Sequence, residues 1–289
     1  MYLKRKGKTI KLGYNLNGFR QFGLEELLPK IAETGYKGVE FSLNPTHLHP
    51  FFHTDEYVSH IAKKAKESNL VISNIHTGAK DILFRDNFEP NLIAPDEEDR
   101  KLRLKLTKSA IEVARKMGVQ VVTLTTGYKS NELSDSEADS KLKNSLQKCL
   151  DWAGEDVSLA IEPEPGMFIE STSQFLAISS YFDNRLFYNL DVGHAVCLGE
   201  NPAEVISNNH KFIRHIHVED IANKEHIHLL PGTGEIDFIS IYESLSKVDY
   251  KYFTSVELYT MLDKPWFALQ ESYNFLSKVI DKTECKIKP

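Results

Sequence analysis

Short apolar segments and longer amphipathic segments alternate along the whole chain. The short segments are rich in Val, Ile, Leu and aromatic residues, which is typical of strands buried in a parallel sheet. We predict strands at residues 10–16, 38–43, 70–76, 119–127, 157–163, 186–191, 212–220 and 252–259. Helical spacing of apolar residues predicts helices at 24–35, 57–69, 96–118, 134–154, 173–182, 202–210, 237–248 and 266–281. This alternation favours the α/β class and a single closed (β/α)8 TIM barrel.

The alternation of side chains along each strand indicates which residues enter the barrel, because successive side chains point to opposite faces. In the fifth strand, Ala160 and Glu162 lie on the face opposite the bulky aliphatic residues, so we expect them to face inward. Glu257 faces inward in the eighth strand by the same rule. In the seventh strand, His215 lies beneath His217 on the inner face.

Four polar residues come at the C-terminal ends of four successive predicted strands: Glu162, Asp191, His217 and Glu257. In a (β/α)8 barrel these strand ends meet at one mouth, where the chemistry of such barrels takes place. A single acidic residue at a strand end could equally be a helix N-cap or a surface charge. Three carboxylates and one imidazole that converge predict a site for a divalent cation.

Composition sets limits on the environment and the partners of the protein. The 289 residues fit one barrel, which typically takes about 250 residues. A net charge of −6 argues against broad binding to nucleic acid or to an anionic membrane. Cys149, Cys197 and Cys285 are scattered, which favours a reducing compartment. Without an apolar run long enough for a membrane span or a signal peptide, we expect a cytoplasmic protein with no nucleic-acid and no membrane partner.

Several motifs together resemble the xylose isomerase-like TIM barrel superfamily. This superfamily includes sugar isomerases and epimerases, inosose and dehydroshikimate dehydratases, and AP endonucleases of the endonuclease IV type. The resemblance extends over essentially the whole chain, so we expect one domain at 1–289. It is carried by the segments LAIEPEPG, FYNLDVGH, HIHVED, HLLPGTGEIDF and TSVELY, which hold the four strand-end residues.

The resemblance implies a divalent-metal-dependent isomerase or epimerase that acts on a carbohydrate-like small molecule, either a sugar or a sugar phosphate. Glu162, Asp191, His217 and Glu257 would bind one ion, with Mn²⁺ expected and Zn²⁺, Co²⁺ or Mg²⁺ as alternatives. Glu162 and Glu257 would also be the catalytic acid and base, because two carboxylates on opposite sides of a sugar can take and return a carbon-bound proton. The ion would stabilise the enediolate.

Further residues are candidates for contact with the substrate. The resemblance assigns His194 to this role. His76 ends the third strand, and it is either a pocket residue or a core histidine. Glu40 faces inward by parity and would either bind substrate or serve as a buried structural carboxylate. His228 is a further substrate-binding candidate, and with His194 and His226 it is alternatively a site for a second ion.

Three other functions remain as alternatives. A dehydratase of the inosose or dehydroshikimate type needs the same metal-stabilised enolate, followed by loss of a hydroxyl group. An AP endonuclease is disfavoured by the acidic charge and by LTTGY at the end of the fourth strand, where the endonuclease pattern has a histidine. A non-catalytic binding protein is disfavoured by four intact ligands. The sequence leaves open the substrate, its phosphorylation and whether the chain forms a homo-oligomer.

Overall fold

The computed structural model describes residues 10–78, 82–85 and 88–286. The ends of the predicted 1–289 domain therefore lie outside the described residues. Within them, eight parallel strands form a closed barrel in sequence order, and the last strand pairs with the first. The strands β1 to β8 are Lys11–Asn15, Gly38–Ser42, Val71–His76, Val121–Leu124, Ser158–Ile161, Phe187–Asp191, Ile213–Val218 and Phe253–Val256. The predicted (β/α)8 architecture is confirmed.

Helices surround the barrel. In the described part of the chain, α1 to α9 are Leu24–Thr34, Asp55–Glu67, Glu97–Met117, Asp135–Ala153, Thr172–Tyr181, Val192–Cys197, Pro202–Asn209, Phe238–Lys247 and Pro265–Lys286. Polar N-caps begin many of them, as in the capping box of Ser134 and Glu137 at α4. Glycines in the left-handed conformation, Gly35 and Gly118, end α1 and α3. None of the described helices combines the length and the hydropathy required to cross a membrane.

Two short elements at the barrel mouth were not predicted. The 3₁₀ helix Leu16–Phe19 follows β1, and α6 follows β6. Both are too short to show helical periodicity in the sequence. The side chain of Asp191 begins α6 by accepting hydrogen bonds from the backbone of Gly193 and His194. This interaction fixes Asp191 at the mouth.

The two faces of the strands differ as parity predicts. On the outer face, Thr254 Oγ1 lies 3.3 Å from the hydroxyl of Tyr242 on α8. On the inner face, Asn74 donates to Glu40 Oε1 at 3.0 Å, and His215 Nε2 lies 2.7 Å from Glu40 Oε2. All these inner side chains are buried. The layer below the mouth therefore contains buried polar side chains that form hydrogen bonds with one another, as is usual for buried polar groups.

Candidate metal centre

The structure brings the four predicted strand-end residues together. Glu162 follows β5, Asp191 ends β6, His217 is the penultimate residue of β7 and Glu257 follows β8. Each offers one nitrogen or oxygen atom, and these four atoms lie within 4.8 Å of one another. None of the four residues is more than 5% exposed. The arrangement matches the dimensions of a site for one cation, with three oxygen donors and one nitrogen donor.

His217 is the central residue of this group. Its Nδ1 atom lies 2.7 Å from Glu162 Oε1, 3.2 Å from Glu257 Oε2 and 3.9 Å from Asp191 Oδ2. One imidazole nitrogen thus faces three carboxylates. Carboxylates buried this closely need a positive charge or hydrogen-bond donors beside them, because an unpaired buried carboxylate is costly.

The hydrogen bonds of Asp191 indicate whether a cation fits the group. Its Oδ1 atom accepts from the backbone nitrogens of Gly193 at 2.7 Å and His194 at 3.0 Å. Its Oδ2 atom is buried and has no hydrogen-bond partner among the described residues. Such an atom can accept a further bond, from a water molecule or from an ion. A divalent cation at the point shared by the four residues would satisfy it, and the oxygen-rich donors suit such an ion.

Two asparagines hold Glu257 in its orientation. Asn15 and Asn17 donate their side-chain amides to Glu257 Oε1 at 2.9 and 2.8 Å. This leaves Oε2 turned toward His217. Both asparagines come from the end of β1 and the turn after it, so the strand adjacent to β8 fixes this carboxylate.

The electrostatics of the group agree with a site for positive charge. Burial would lower the pKa of His217, but the charges of Glu257, Glu40 and Glu162 outweigh burial and raise the pKa well above its usual range. Burial likewise opposes ionisation of Glu162, yet His217 and His76 hold its pKa well below the usual range. Glu162 is therefore ionised, and its charge attracts a cation.

Glu40 lies beneath the centre rather than at the cavity. Its Oε1 atom is 2.8 Å from His217 Nε2, and its Oε2 atom bonds to His215. The side chain is fully buried. This position favours the structural alternative over contact with substrate. A carboxylate on the far nitrogen of a ligating histidine fixes the ring orientation and raises its basicity.

A cavity of about 180 Å³ opens above the centre. The predicted residues that line it are Glu162, Glu257, His76, His194 and His228. His76 Nε2 lies 2.5 Å from Glu162 Oε2, so His76 contacts a candidate ligand as well as the cavity. Glu164 also lines the cavity, whereas Glu170 accepts from the backbone of Gly166 and is not among the lining residues.

A second group of possible ligands lies beside the first. It consists of His194, Glu219, His226 and His228. His226 Nε2 is 2.9 Å from His194 Nε2 and 3.0 Å from His228 Nε2. An imidazole nitrogen can either donate or accept one hydrogen bond, so His226 Nε2 cannot satisfy both contacts. A cation accepting all three lone pairs would resolve this conflict.

Sequence reasoning missed Glu219, although parity offers a signal for it. It follows His215 and His217 at the same two-residue interval. Glu219 is fully buried, it contacts His228 Nδ1, and neither of its oxygens has a hydrogen bond within the described chain. Burial, followed by the charge of Asp191, raises its pKa well above the usual range. Gly193 is needed next to it, because a Cβ there would overlap Glu219 Oε1.

Residues 28–279 match the family model described as xylose isomerase-like TIM barrel. The chain belongs to this family. An uncharacterised protein of Methanocaldococcus jannaschii is 25% identical over 269 residues, covering 88% of this chain and 87% of that protein. An inosose dehydratase of Clostridium botulinum is 28% identical over 123 residues, covering 36% of this chain and 41% of that enzyme.

Solved structures share the fold. A D-tagatose 3-epimerase-like protein superimposes with a TM-score of 0.80 at 22% identity, covering 96% of this chain and 100% of that one. The IOLI protein with a zinc atom superimposes with a TM-score of 0.75 at 18% identity, covering 96% and 99%. At these identities the likeness establishes the fold, and the reaction must be argued from the site.

Proposed function

We propose that this member of the xylose isomerase-like TIM barrel family is a divalent-metal-dependent isomerase or epimerase of a sugar or sugar phosphate. One observation carries the proposal: Glu162, Asp191, His217 and Glu257 converge beside a cavity that Glu162 and Glu257 line, and Asp191 Oδ2 lacks a hydrogen-bond partner among the described residues. The sugar epimerases among the structural neighbours support the same class of reaction.

The four residues would hold the cation, and Mn²⁺ fits three oxygen donors and one nitrogen donor. Zn²⁺, Co²⁺ and Mg²⁺ are the alternatives, and zinc accompanies one structural neighbour. When bound, the ion stabilises the negative charge of an enediolate. The second group, His194, Glu219, His226 and His228, is rich in nitrogen, and we propose that it holds a second ion with a preference closer to Zn²⁺.

Proton transfer falls to Glu162 and Glu257, both of which line the cavity. They come from β5 and β8, so they approach a bound sugar from different sides of the mouth. One would remove a carbon-bound proton, and the other would return a proton to the opposite face of the same carbon, which inverts its configuration. His76 bonds to Glu162 and would set its orientation and charge. His194 and His228 line the cavity, and either would anchor a hydroxyl group when no second ion is bound.

A dehydratase is the second candidate, and the match to an inosose dehydratase favours it. The same carboxylate would remove the proton, but a neighbouring hydroxyl group would then leave as water instead of the carbon being reprotonated. The two reactions thus differ in their products and not in the first step. An AP endonuclease and a non-catalytic binding protein gain no specific support from the geometry.

The decisive experiment is product analysis in D₂O with the Mn²⁺-loaded protein and a panel of ketoses, ketose phosphates, inososes and dehydroshikimate. An isomerase or epimerase gives an isomer that carries solvent deuterium at the reacting carbon. A dehydratase gives a product lighter by one water. Turnover with neither deuterium incorporation nor loss of water would contradict both candidates, because both begin by breaking a C–H bond.

A further inference from the structure

The cavity above the candidate metal centre has an uneven distribution of charge. Among its lining residues, Glu162, Glu164 and Glu257 are acidic, and Arg20 is the one residue with a permanent positive charge. The first three lie at or near the strand ends of β5 and β8. Arg20 ends the 3₁₀ helix that follows β1. The guanidinium of Arg20 therefore comes from the turn after β1 and not from the candidate metal ligands.

Arg20 is anchored to the same residue that orients a candidate ligand. Its Nε atom donates to the backbone oxygen of Asn17 at 3.2 Å. The side chain of Asn17 donates to Glu257 Oε1. Asn17 therefore bonds to both the guanidinium of Arg20 and the carboxylate of Glu257, and it fixes their positions relative to each other.

The two terminal nitrogens of Arg20 are left without a partner in the described chain. Among the described residues, the side chain of Arg20 donates one hydrogen bond, from Nε, and it forms no ion pair with a carboxylate. Arg115 shows the contrast, because its guanidinium binds both oxygens of Asp156. An arginine offers a planar pair of donors that matches a carboxylate or a phosphate. Arg20 offers this pair at the cavity.

We propose that the substrate carries an anionic group, a carboxylate or a phosphate, which Arg20 binds while the reacting carbon lies over the metal centre. The inference deepens the proposed function, on which it rests, and it narrows the substrate class from sugars in general to sugar acids or sugar phosphates. The apolar and aromatic lining residues Phe88, Tyr259 and Leu262 offer no compensating positive charge. The lining histidines His76, His194 and His228 carry a charge only when they are protonated, and they lie beside the candidate ligands. Arg20 is therefore the lining residue that can bind an anion without competing with the metal centre.

The test is calorimetric titration of the Mn²⁺-loaded protein with three probes that share a four-carbon skeleton: erythritol, erythronate and erythritol 4-phosphate. The variants are Arg20→Gln, which removes the charge, and Arg20→Lys, which keeps it but loses the planar pair of donors. Arg185→Gln is the control, since Arg185 is exposed in the turn before β6, at the opposite end of the barrel. Thermal unfolding verifies that each variant is folded.

We expect the wild type to bind one anionic probe about 10- to 100-fold more tightly than erythritol, as charge-assisted hydrogen bonds imply. Arg20→Gln should abolish this advantage and leave erythritol binding unchanged, Arg20→Lys should retain part of it, and Arg185→Gln should retain all of it. The probe with the larger loss identifies carboxylate or phosphate as the group.

Three other outcomes overturn the inference. If Arg20→Gln still binds an anionic probe more tightly than erythritol, the anion lies on the metal. An equal loss of affinity for all three probes, or a wild type that shows no preference or no binding, contradicts the inference as well. The readout is a ratio of affinities and needs no turnover. Failure of the proposed function would show instead as inactivity toward every member of the substrate panel, whatever the ratio.

Discussion

The two groups of candidate ligands are neighbours, yet they are built differently. Glu162, Asp191, His217 and Glu257 come from β5 to β8 and supply three oxygens and one nitrogen. In the second group, Glu219 directly follows β7, and the three histidines come from α6 and from the loop after β7. That group supplies three nitrogens and one oxygen. The first group is therefore fixed by the barrel, and the second depends largely on a loop.

The surroundings of the first group are also more buried and better bonded than those of the second. Asn15, Asn17 and Glu40 bond to members of the first group and are themselves buried. In the second group, the side chain of His226 is 25% exposed. Groups that must hold reacting atoms need such supporting contacts, because small displacements reduce rate strongly. We therefore assign the proposed proton transfer to the first group and not to the second.

The largest expected effect tests this division of roles. Glu162→Gln and Glu257→Gln each keep the size of the side chain but remove the negative charge and the basicity of the carboxylate. We expect each to lower kcat by about 10²- to 10⁴-fold, the usual loss for a missing general base, while substrate binding persists. The measurement is steady-state kinetics on the substrate identified by the panel, with metal content determined for each variant.

Glu170→Gln is the matched control, because Glu170 lies on the same segment after β5 but is not a cavity-lining residue. It should leave kcat unchanged. Wild-type turnover in Glu162→Gln or Glu257→Gln, with the metal still bound, would remove that residue from the proton-transfer pair.

Sequence reasoning located the first group well and the second only in part. Strand ends and two-residue parity are short-range signals, so Glu162 and Glu257 could be placed at the mouth without coordinates. The position of Glu40 could not be decided, because parity says that a side chain faces inward but not at which depth it lies. Glu219 was missed although it continues the parity of His215 and His217, and its neighbour Gly193 belongs to a six-residue helix that was not predicted.

The second prediction concerns the support beneath the first group. Glu40→Gln preserves size but weakens the bond to His217 Nε2. We expect the affinity of the first group for Mn²⁺ to fall about 10- to 100-fold, as is typical when a carboxylate behind a ligating histidine is lost. Calorimetry measures this affinity directly. His215→Gln is the control, because it removes the imidazole that bonds to Glu40 Oε2 and leaves the bond between Glu40 Oε1 and His217 intact.

An unchanged Mn²⁺ affinity in folded Glu40→Gln would show that the carboxylate only fills the barrel interior. Equal losses in Glu40→Gln and His215→Gln would assign the effect to the whole buried network. Either result would weaken the argument that the first group is distinguished by its supporting contacts.

The smallest expected effect on turnover comes from the second group. His226→Ala/His228→Ala removes two of its three imidazoles, whose Nε2 atoms lie 3.0 Å apart. We expect metal analysis of Zn²⁺-saturated protein to give two ions per chain in the wild type and one in the variant, with kcat reduced less than in Glu162→Gln.

His53→Ala/His60→Ala is the control, because these histidines belong to neither group. One ion in both the wild type and the variant would mean that these histidines contact substrate or only one another. A loss of both ions would show instead that the two groups form a single centre, since His228 Nδ1 also lies 3.2 Å from the backbone oxygen of Glu257.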